Sequence, residues 1–438
     1  MKDYPKKPSK LLLNTVYAFV RGSYKKYNIT ADRSGVEQVE KGSPFILLYN
    51  HIGKQDHMLT GYLLRPLLAN NMISRWVQYD PIVGPLAEAA GGFFKNRFYP
   101  DPQAVVYCKK VLKRGGVVAM APAGVYSIDG TTHYIDYGTA KLIKLFKVPV
   151  VAAKISGAYF YVNGHRKSKL KGKVEIQSRL LFDSKEAQEL SEQAIFQKLW
   201  EELDFNDFEY RQKEGFLVEG KDLAEGVENI LYKCLKCGEE FTLTHIKDDL
   251  ICSTCGNRVT VKNDMNFYPK SQNAAYADRL DKWNLIQKKL LEKEILKDDF
   301  CISDRVTLKR NKGTKKRGLY FLGEGVITLN REGITYVGTD GKEKVEYSYP
   351  LNRTSNVGFT LGKYLTIERD KNAFLYWFDE PRKISKFVQA LVLMRRAFFP
   401  NFEGEKEWRE AMPNNNLEAV IWGETLCPQL LPFVKNAE

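Results

Sequence analysis

The chain has 438 residues, 44% hydrophobic and 12% aromatic, which is enough for two to four packed domains and excludes a disordered chain. No uninterrupted apolar stretch reaches the roughly 18 residues of a membrane-spanning helix, and the N-terminus lacks the apolar region and cleavage site of a signal peptide, so the protein is expected to stay in the cytosol. The net charge of +14 is uneven: Met1 to Asp183 hold 28 Lys+Arg against 12 Asp+Glu, or +16, and the remainder 39 against 41, or −2, so the first segment should attract phosphates without choosing among nucleic acid, anionic lipid and phosphorylated cofactor.

Residues 11 to 28 combine Leu11, Leu12, Leu13, Val16 and Tyr17 with Arg21, Lys25 and Lys26 in a short basic amphipathic helix. Such a helix either lies in a membrane interface or packs on the domain behind it. From Phe45 to about Asp183, apolar strand candidates alternate with helix candidates, which predicts an α/β domain, its sheet mixed or mostly parallel with flanking helices. The first strand, Phe45 to Tyr49, ends in Asn50 and His51, and Asp56 follows. On a continuous helix His51 and Asp56 would point about 140° apart, so they can meet only across a turn. A strand end, a turn and a helix starting near Asp56 would set both outside the carboxyl end of a strand, where open α/β sheets bind ligands. There a neutral imidazole can take a proton from a hydroxyl while the carboxylate fixes its tautomer. The plainer reading is an Asp56 that only caps the next helix.

An acidic helical stretch runs from Ser184 to about Asn229. Then Cys234, Cys237, Cys252 and Cys255 form CxxC, fourteen intervening residues, CxxC, each pair followed by a glycine, Gly238 or Gly256. Two such knuckles joined by a hairpin make a four-thiolate zinc ribbon, closed to further ligands and therefore structural. His245 in the hairpin reads as a surface residue. One connecting helix is predicted from about Ser271 to Lys297. Period-two alternation over 303 to 378, in six or seven short strands closed by the apolar helix "ISKFVQALVLMRRAFF", predicts a small antiparallel β domain similar to the pleckstrin-homology fold. Its first loop, Arg305 to Arg317, has seven basic residues in thirteen and no acid, as would suit anionic head groups or simply water. The domain plan is thus 1–30 amphipathic helix, 31–229 α/β domain with helical extension, 230–265 ribbon, 266–299 connector, 300–400 β domain and 401–438 tail.

Four ordered blocks add a resemblance. "NHIGKQD" resembles the HxxxxD block of the glycerolipid acyltransferases typified by lysophosphatidate acyltransferase; "GGFFKNR", Gly91 to Arg97, is similar to the second block, Pro122, Gly124 and Ser127 in "APAGVYS" to the third, and "VPVV" at Val148 to the fourth. The resemblance spans about residues 10 to 185 and implies that His51 is the general base, Asp56 its orienting partner, and the donor a thioester, acyl-CoA or acyl carrier protein. It implies an acceptor site at Gly92, Lys95, Arg97, Pro122, Gly124 and Tyr126, with Arg97 on the acceptor's phosphate. The partners would be a lipid acceptor and an anionic membrane surface, with the protein peripheral on the cytoplasmic face.

The third block departs from the family pattern, because Ala121, Ala123, Val125 and Tyr126 stand where an aromatic, an acid, a threonine and an arginine are usual. Two polar groups of the acceptor site are therefore missing. Lysophosphatidate (1-acylglycerol-3-phosphate) comes first on family frequency and on the retention of Arg97; another lysophospholipid or a neutral glycerolipid, with Tyr126 bonding a hydroxyl, is the rival. A lipid-binding protein that has lost turnover is a further reading. Nucleic acid is not expected at the ribbon, since Lys233 to Lys262 carry five basic and four acidic residues, too balanced to track phosphates.

Overall fold

Phe45–Tyr49 is buried at all five positions, the pattern of a strand covered on both faces, and in the computed structural model it forms the middle of the first sheet. The structure describes residues 4–399 apart from 99–100, 133, 163–164, 312–317, 355 and 370–371. The predicted tail and the 312–317 part of the basic loop lie outside the described residues. The first sheet comprises β1 (Ile29–Asp32), β2 (Phe45–Tyr49), β3 (Ala69–Ser74), β4 (Phe93–Lys95), β5 (Val117–Met120), β6 (Val150–Ser156) and β7 (Val174–Phe182), in the order β1-β7-β6-β2-β5-β3-β4. Its neighbours are parallel except β6 and β7. Helices α1 (Lys10–Lys26), α2 (Ser34–Glu37), α3 (Asp56–Leu64), α4 (Val83–Ala89), α5 (Pro102–Lys113), α6 (Gly138–Phe146) and α7 (Tyr159–Val162) flank it, and α8 (Ser184–Glu189), α9 (Glu192–Leu203) and α10 (Asp207–Glu214) form the acidic extension.

Alternation along β2 divides its side chains between two cores. Ile46 and Leu48 join one with α5, α6 and α9, while Phe45, Leu47 and Tyr49 join another that continues without a break through the ribbon and into the C-terminal β domain. Helix α1 packs on the domain: Tyr17 and Tyr24 are buried, and a side chain on Gly61 of α3 would fall 1.5 Å from the Tyr17 hydroxyl. Leu11, at 81% exposure, stays outside that contact.

The ribbon is a four-stranded antiparallel sheet of β8 (Leu243–Ile246), β9 (Asp249–Cys252), β10 (Arg258–Val261) and β11 (Phe267–Pro269). The connecting helix is shorter than predicted, α11 spanning Leu280–Glu294. Helix propensity in "NAAYAD" loses to a tertiary contact: the Asn257 amide donates to the Ala275 carbonyl at 2.7 Å and accepts from its N–H at 3.1 Å, holding that segment against the ribbon.

The third sheet is antiparallel: β12 (Ile302–Asn311), β13 (Leu319–Asn330), β14 (Gly333–Asp340), β15 (Glu343–Pro350), β16 (Gly358–Thr360), β17 (Tyr364–Arg369) and β18 (Asn372–Phe378), ordered β15-β14-β13-β12-β18-β17-β16 and covered by α12 (Lys383–Phe398). Two segments predicted as separate strands, "GLYFLG" and "GVITLN", are one strand, β13. Gly325 faces Gly338 across the ladder, where a Cβ would come 2.4 Å from the Val337 carbonyl oxygen. Glycine serves close backbone approach here.

Helix α11 joins the three sheets. The Asn284 amide donates to Asp129 at 2.5 Å, the Gln287 amide to the Ile230 carbonyl at 2.8 Å, and Gln389 of α12 to Asn284 at 3.2 Å. Beside them Lys233 and Lys386 each contact Glu240 and Glu294 at 2.7–3.1 Å. These side chains find partners on other domains, so the connector is an interface rather than a spacer.

Candidate active site

The loop after β2 turns back on itself at Gly53, and α3 begins at Asp56. Asp56 is not the cap of that helix; Gln55 occupies that position. The Asp56 carboxylate, 1% exposed, accepts the N–H groups of Ile52 at 2.7 Å and Gly53 at 3.0 Å and lies 2.8 Å from His51 Nδ1. Two backbone donors hold the carboxylate in place, which orients the imidazole and leaves Nε2 turned away from it. The strand end is fixed as well, because the Asn50 amide pairs with the Ile155 backbone of β6 at 2.8 and 2.7 Å.

The third block closes over this dyad. Ser127 N–H donates to the His51 carbonyl at 2.9 Å, while the Ser127 hydroxyl donates to the Thr131 carbonyl at 2.7 Å and accepts from Gly130. That hydroxyl therefore has a structural task. Gly124 has φ +67°, with Phe98 3.8 Å from the place of its missing Cβ. The Tyr126 ring stands edge-on to His51, centroids 4.4 Å apart. Burial first, then the Asp56 carboxylate and, more weakly, Tyr364, raise the Tyr126 hydroxyl above the usual phenol range, with Arg97 acting in the opposite sense. His51, Pro122, Tyr126, Tyr134, Ile135, Leu203 and Phe205 help line a cleft with about 360 Å³ of empty space, mouth included. Its walls are largely apolar, suited to a hydrocarbon chain.

Sequence reasoning missed the C-terminal β domain at this site. Strand β17 buries Leu365 and Ile367 in its own core, so alternation turns Tyr364, Thr366 and Glu368 the other way, toward the first domain. Glu368 meets Arg97: its carboxylate lies 3.5 Å from Arg97 Nε, accepts the Arg97 N–H at 3.1 Å and accepts the Ser74 hydroxyl at 3.1 Å. The two side chains are 17% and 8% exposed. The Arg97 guanidinium lies over Gly358, where a Cβ would come 2.0 Å from it. At the neighbouring turn, partial burial and then the like charge of Lys363 hold the Lys54 ammonium below the usual lysine range.

Other predicted acceptor residues are placed differently. Gly92 is buried, its missing Cβ facing Ile73 at 2.7 Å and the Ala87 carbonyl at 2.8 Å, so it serves packing. Lys95 donates to the Asn96 carbonyl at 3.2 Å, and its charge acts on Cys108, whose thiol burial pushes up to about 12. Cys108 is inert at that value.

Cys234, Cys237, Cys252 and Cys255 bring their sulfurs within 4.8 Å of one another, with two pairs at 3.8 Å. A tetrahedron with metal–sulfur bonds of about 2.3 Å has edges of about 3.8 Å, so the donor set fits zinc. Both knuckle glycines take positive φ, Gly238 at 79° and Gly256 at 68°. Thr242 and Asn257 approach Cys252 and Cys234 from outside, at 3.2 and 3.8 Å. His245 stands apart, paired with Glu228 at 2.9 Å.

Residues 31–156 match the family model described as acyltransferase. Over that segment the chain is similar to the acyltransferase family. A second model, described as DNA directed RNA polymerase, 7 kDa subunit, matches residues 227–265, a zinc-ribbon segment that contains all four cysteines. The chain is also similar, over 40% of its length and 69% of that chain, to the crystal structure of the 1-acyl-sn-glycerophosphate (LPA) acyltransferase, PlsC, from Thermotoga maritima, at 21% identity and with a TM-score of 0.34. No curated protein matches the chain significantly.

Proposed function

We propose that this protein transfers a fatty acyl group from a thioester to a hydroxyl of a glycerolipid, with His51 as general base. The observation that carries the proposal is the dyad: Asp56, pinned by the Ile52 and Gly53 N–H groups, receives Nδ1–H of His51 and leaves Nε2 to take the acceptor's proton. The hydroxyl oxygen then attacks the thioester carbonyl. The tetrahedral adduct expels the thiolate, which recovers the proton from the imidazolium, so no acyl-enzyme is required. The apolar cleft beside His51 would hold the acyl chain, and acyl-CoA or acyl carrier protein would supply it.

The same proposal gives the four cysteines one structural zinc, which bound there would hold the two knuckles together. It places the protein at the cytoplasmic face of an anionic membrane. Among the described residues no helix is long and apolar enough to cross a membrane; exposed Leu11 and the basic first domain suit a peripheral attachment. Seven antiparallel strands followed by α12 support a pleckstrin-homology-like reading of the β domain. The test is incubation of purified protein with labelled acyl-CoA, then labelled acyl carrier protein, across lysophospholipid and monoacylglycerol acceptors. Transfer that His51→Ala cuts by about 10² to 10⁴-fold is expected. Absence of transfer with every pair would overturn the proposal and leave a lipid-binding protein.

A further inference from the structure

The acceptor side of the dyad runs through three residues. Tyr126 packs on His51, Arg97 is close enough to act on the Tyr126 hydroxyl, and Glu368 faces Arg97 from the other domain. A phosphomonoester carries close to two negative charges, and binding it at Arg97 would set those charges against a carboxylate that is 8% exposed and held by Ser74 and the Arg97 N–H. The carboxylate sets a fixed negative charge 3.5 Å from Arg97 Nε, which makes no hydrogen bond to it, so the guanidinium's charge is countered electrostatically. Around the pair lie Phe98, Asn356, Val357, Gly358, Thr366 and Ile367, which add no second cation.

We infer that Glu368 is a specificity-determining residue: by occupying Arg97 it excludes phosphomonoester acceptors from this site and selects a glycerolipid whose head is an uncharged hydroxyl. The inference rests on the acyltransfer reading and deepens it. It also reverses the order of acceptors that the retained Arg97 suggests in the sequence, because an arginine already paired with a buried carboxylate is not a free phosphate site.

The experiment compares the full chain with E368Q and the double variant E368Q/R97A, using a monoacylglycerol and a lysophosphatidate of equal, short chain length below their micelle concentrations. Wild type should acylate the monoacylglycerol preferentially. E368Q keeps the Ser74 contact and removes the charge; it should shift the ratio of kcat/KM toward lysophosphatidate ten-fold or more, and R97A should cancel that shift. Calorimetric titration of lysophosphatidate reads the same effect without turnover, with at least ten-fold tighter binding to E368Q than to wild type and none of that gain in the double variant. An unchanged affinity and an unchanged ratio in E368Q, with wild-type folding by circular dichroism, would overturn the inference, as would Arg97-dependent preference of wild type for lysophosphatidate. Loss of transfer with both acceptors in every form would count against the acyltransfer reading instead, and the titration would still decide the role of Glu368.

Discussion

The two ends of the candidate site are built in opposite ways. His51 meets a carboxylate five residues away, fixed by two N–H groups of the same loop, whereas Arg97 meets one 271 residues away, delivered by a separate sheet. A local turn carries its geometry in its own sequence. A contact between domains depends on everything that docks them, so the base should tolerate damage elsewhere while the head-group end should not.

Removing the metal tests the remote end most severely. Apparent zinc affinities of about 10–16 kcal/mol in small zinc-binding peptides set the scale, and Cys234 and Cys252 lie in the core shared with α11, α12 and the third sheet. Chelation, or Cys252→Ser, is expected to lower the unfolding midpoint of the whole protein, read by scanning calorimetry alongside zinc content. An unchanged midpoint in zinc-free protein would mean that docking does not depend on the ribbon. The local end is tested by His51→Ala, expected to cut turnover about 10² to 10⁴-fold, or roughly 3 to 5 kcal/mol of barrier, with the midpoint unmoved; full activity would remove the base.

Asn284→Ala leaves Gln287, Gln389 and Asp129 without a shared partner and is expected to cost about 1–3 kcal/mol in denaturant unfolding. A loss of a few tenths would show that the domains are held by apolar contacts alone. The mildest change is Gly358→Ala, whose Cβ would press on the Arg97 guanidinium. It should cost about 1 kcal/mol or somewhat more and move the acceptor ratio in the same direction as E368Q. A ratio that does not move would uncouple Arg97 from its cover.

The same division explains what the sequence disclosed. The strand-turn-helix around His51, the four cysteines, the mixed sheet and the run of antiparallel strands are short-range patterns, and each appears in the structure. What was hidden depends on distant partners. Helix α11 starts late because Asn257 holds Ala275, the segments on either side of Glu324 run on as one strand because Gly325 pairs closely with Gly338, and Glu368 was unremarked because "YLTIER" alternates like any surface strand. Its one signal is physical: polar Thr366 and Glu368 are buried on the side away from Leu365 and Ile367, which in a lone sheet would face water.

The separation of Arg97 from Glu368 also has a consequence in time. At a synthesis rate of about 5–20 residues per second, Glu368 leaves the ribosome roughly 15–55 s after Arg97. From Phe182 onward, the larger part of that interval, the growing chain contains every residue of the dyad and every strand of the first sheet, yet its guanidinium has no carboxylate opposite. If Glu368 sets the acceptor as inferred, the nascent first domain should bind phosphorylated lipids that the finished protein refuses, and selectivity would be acquired last, when β17 docks.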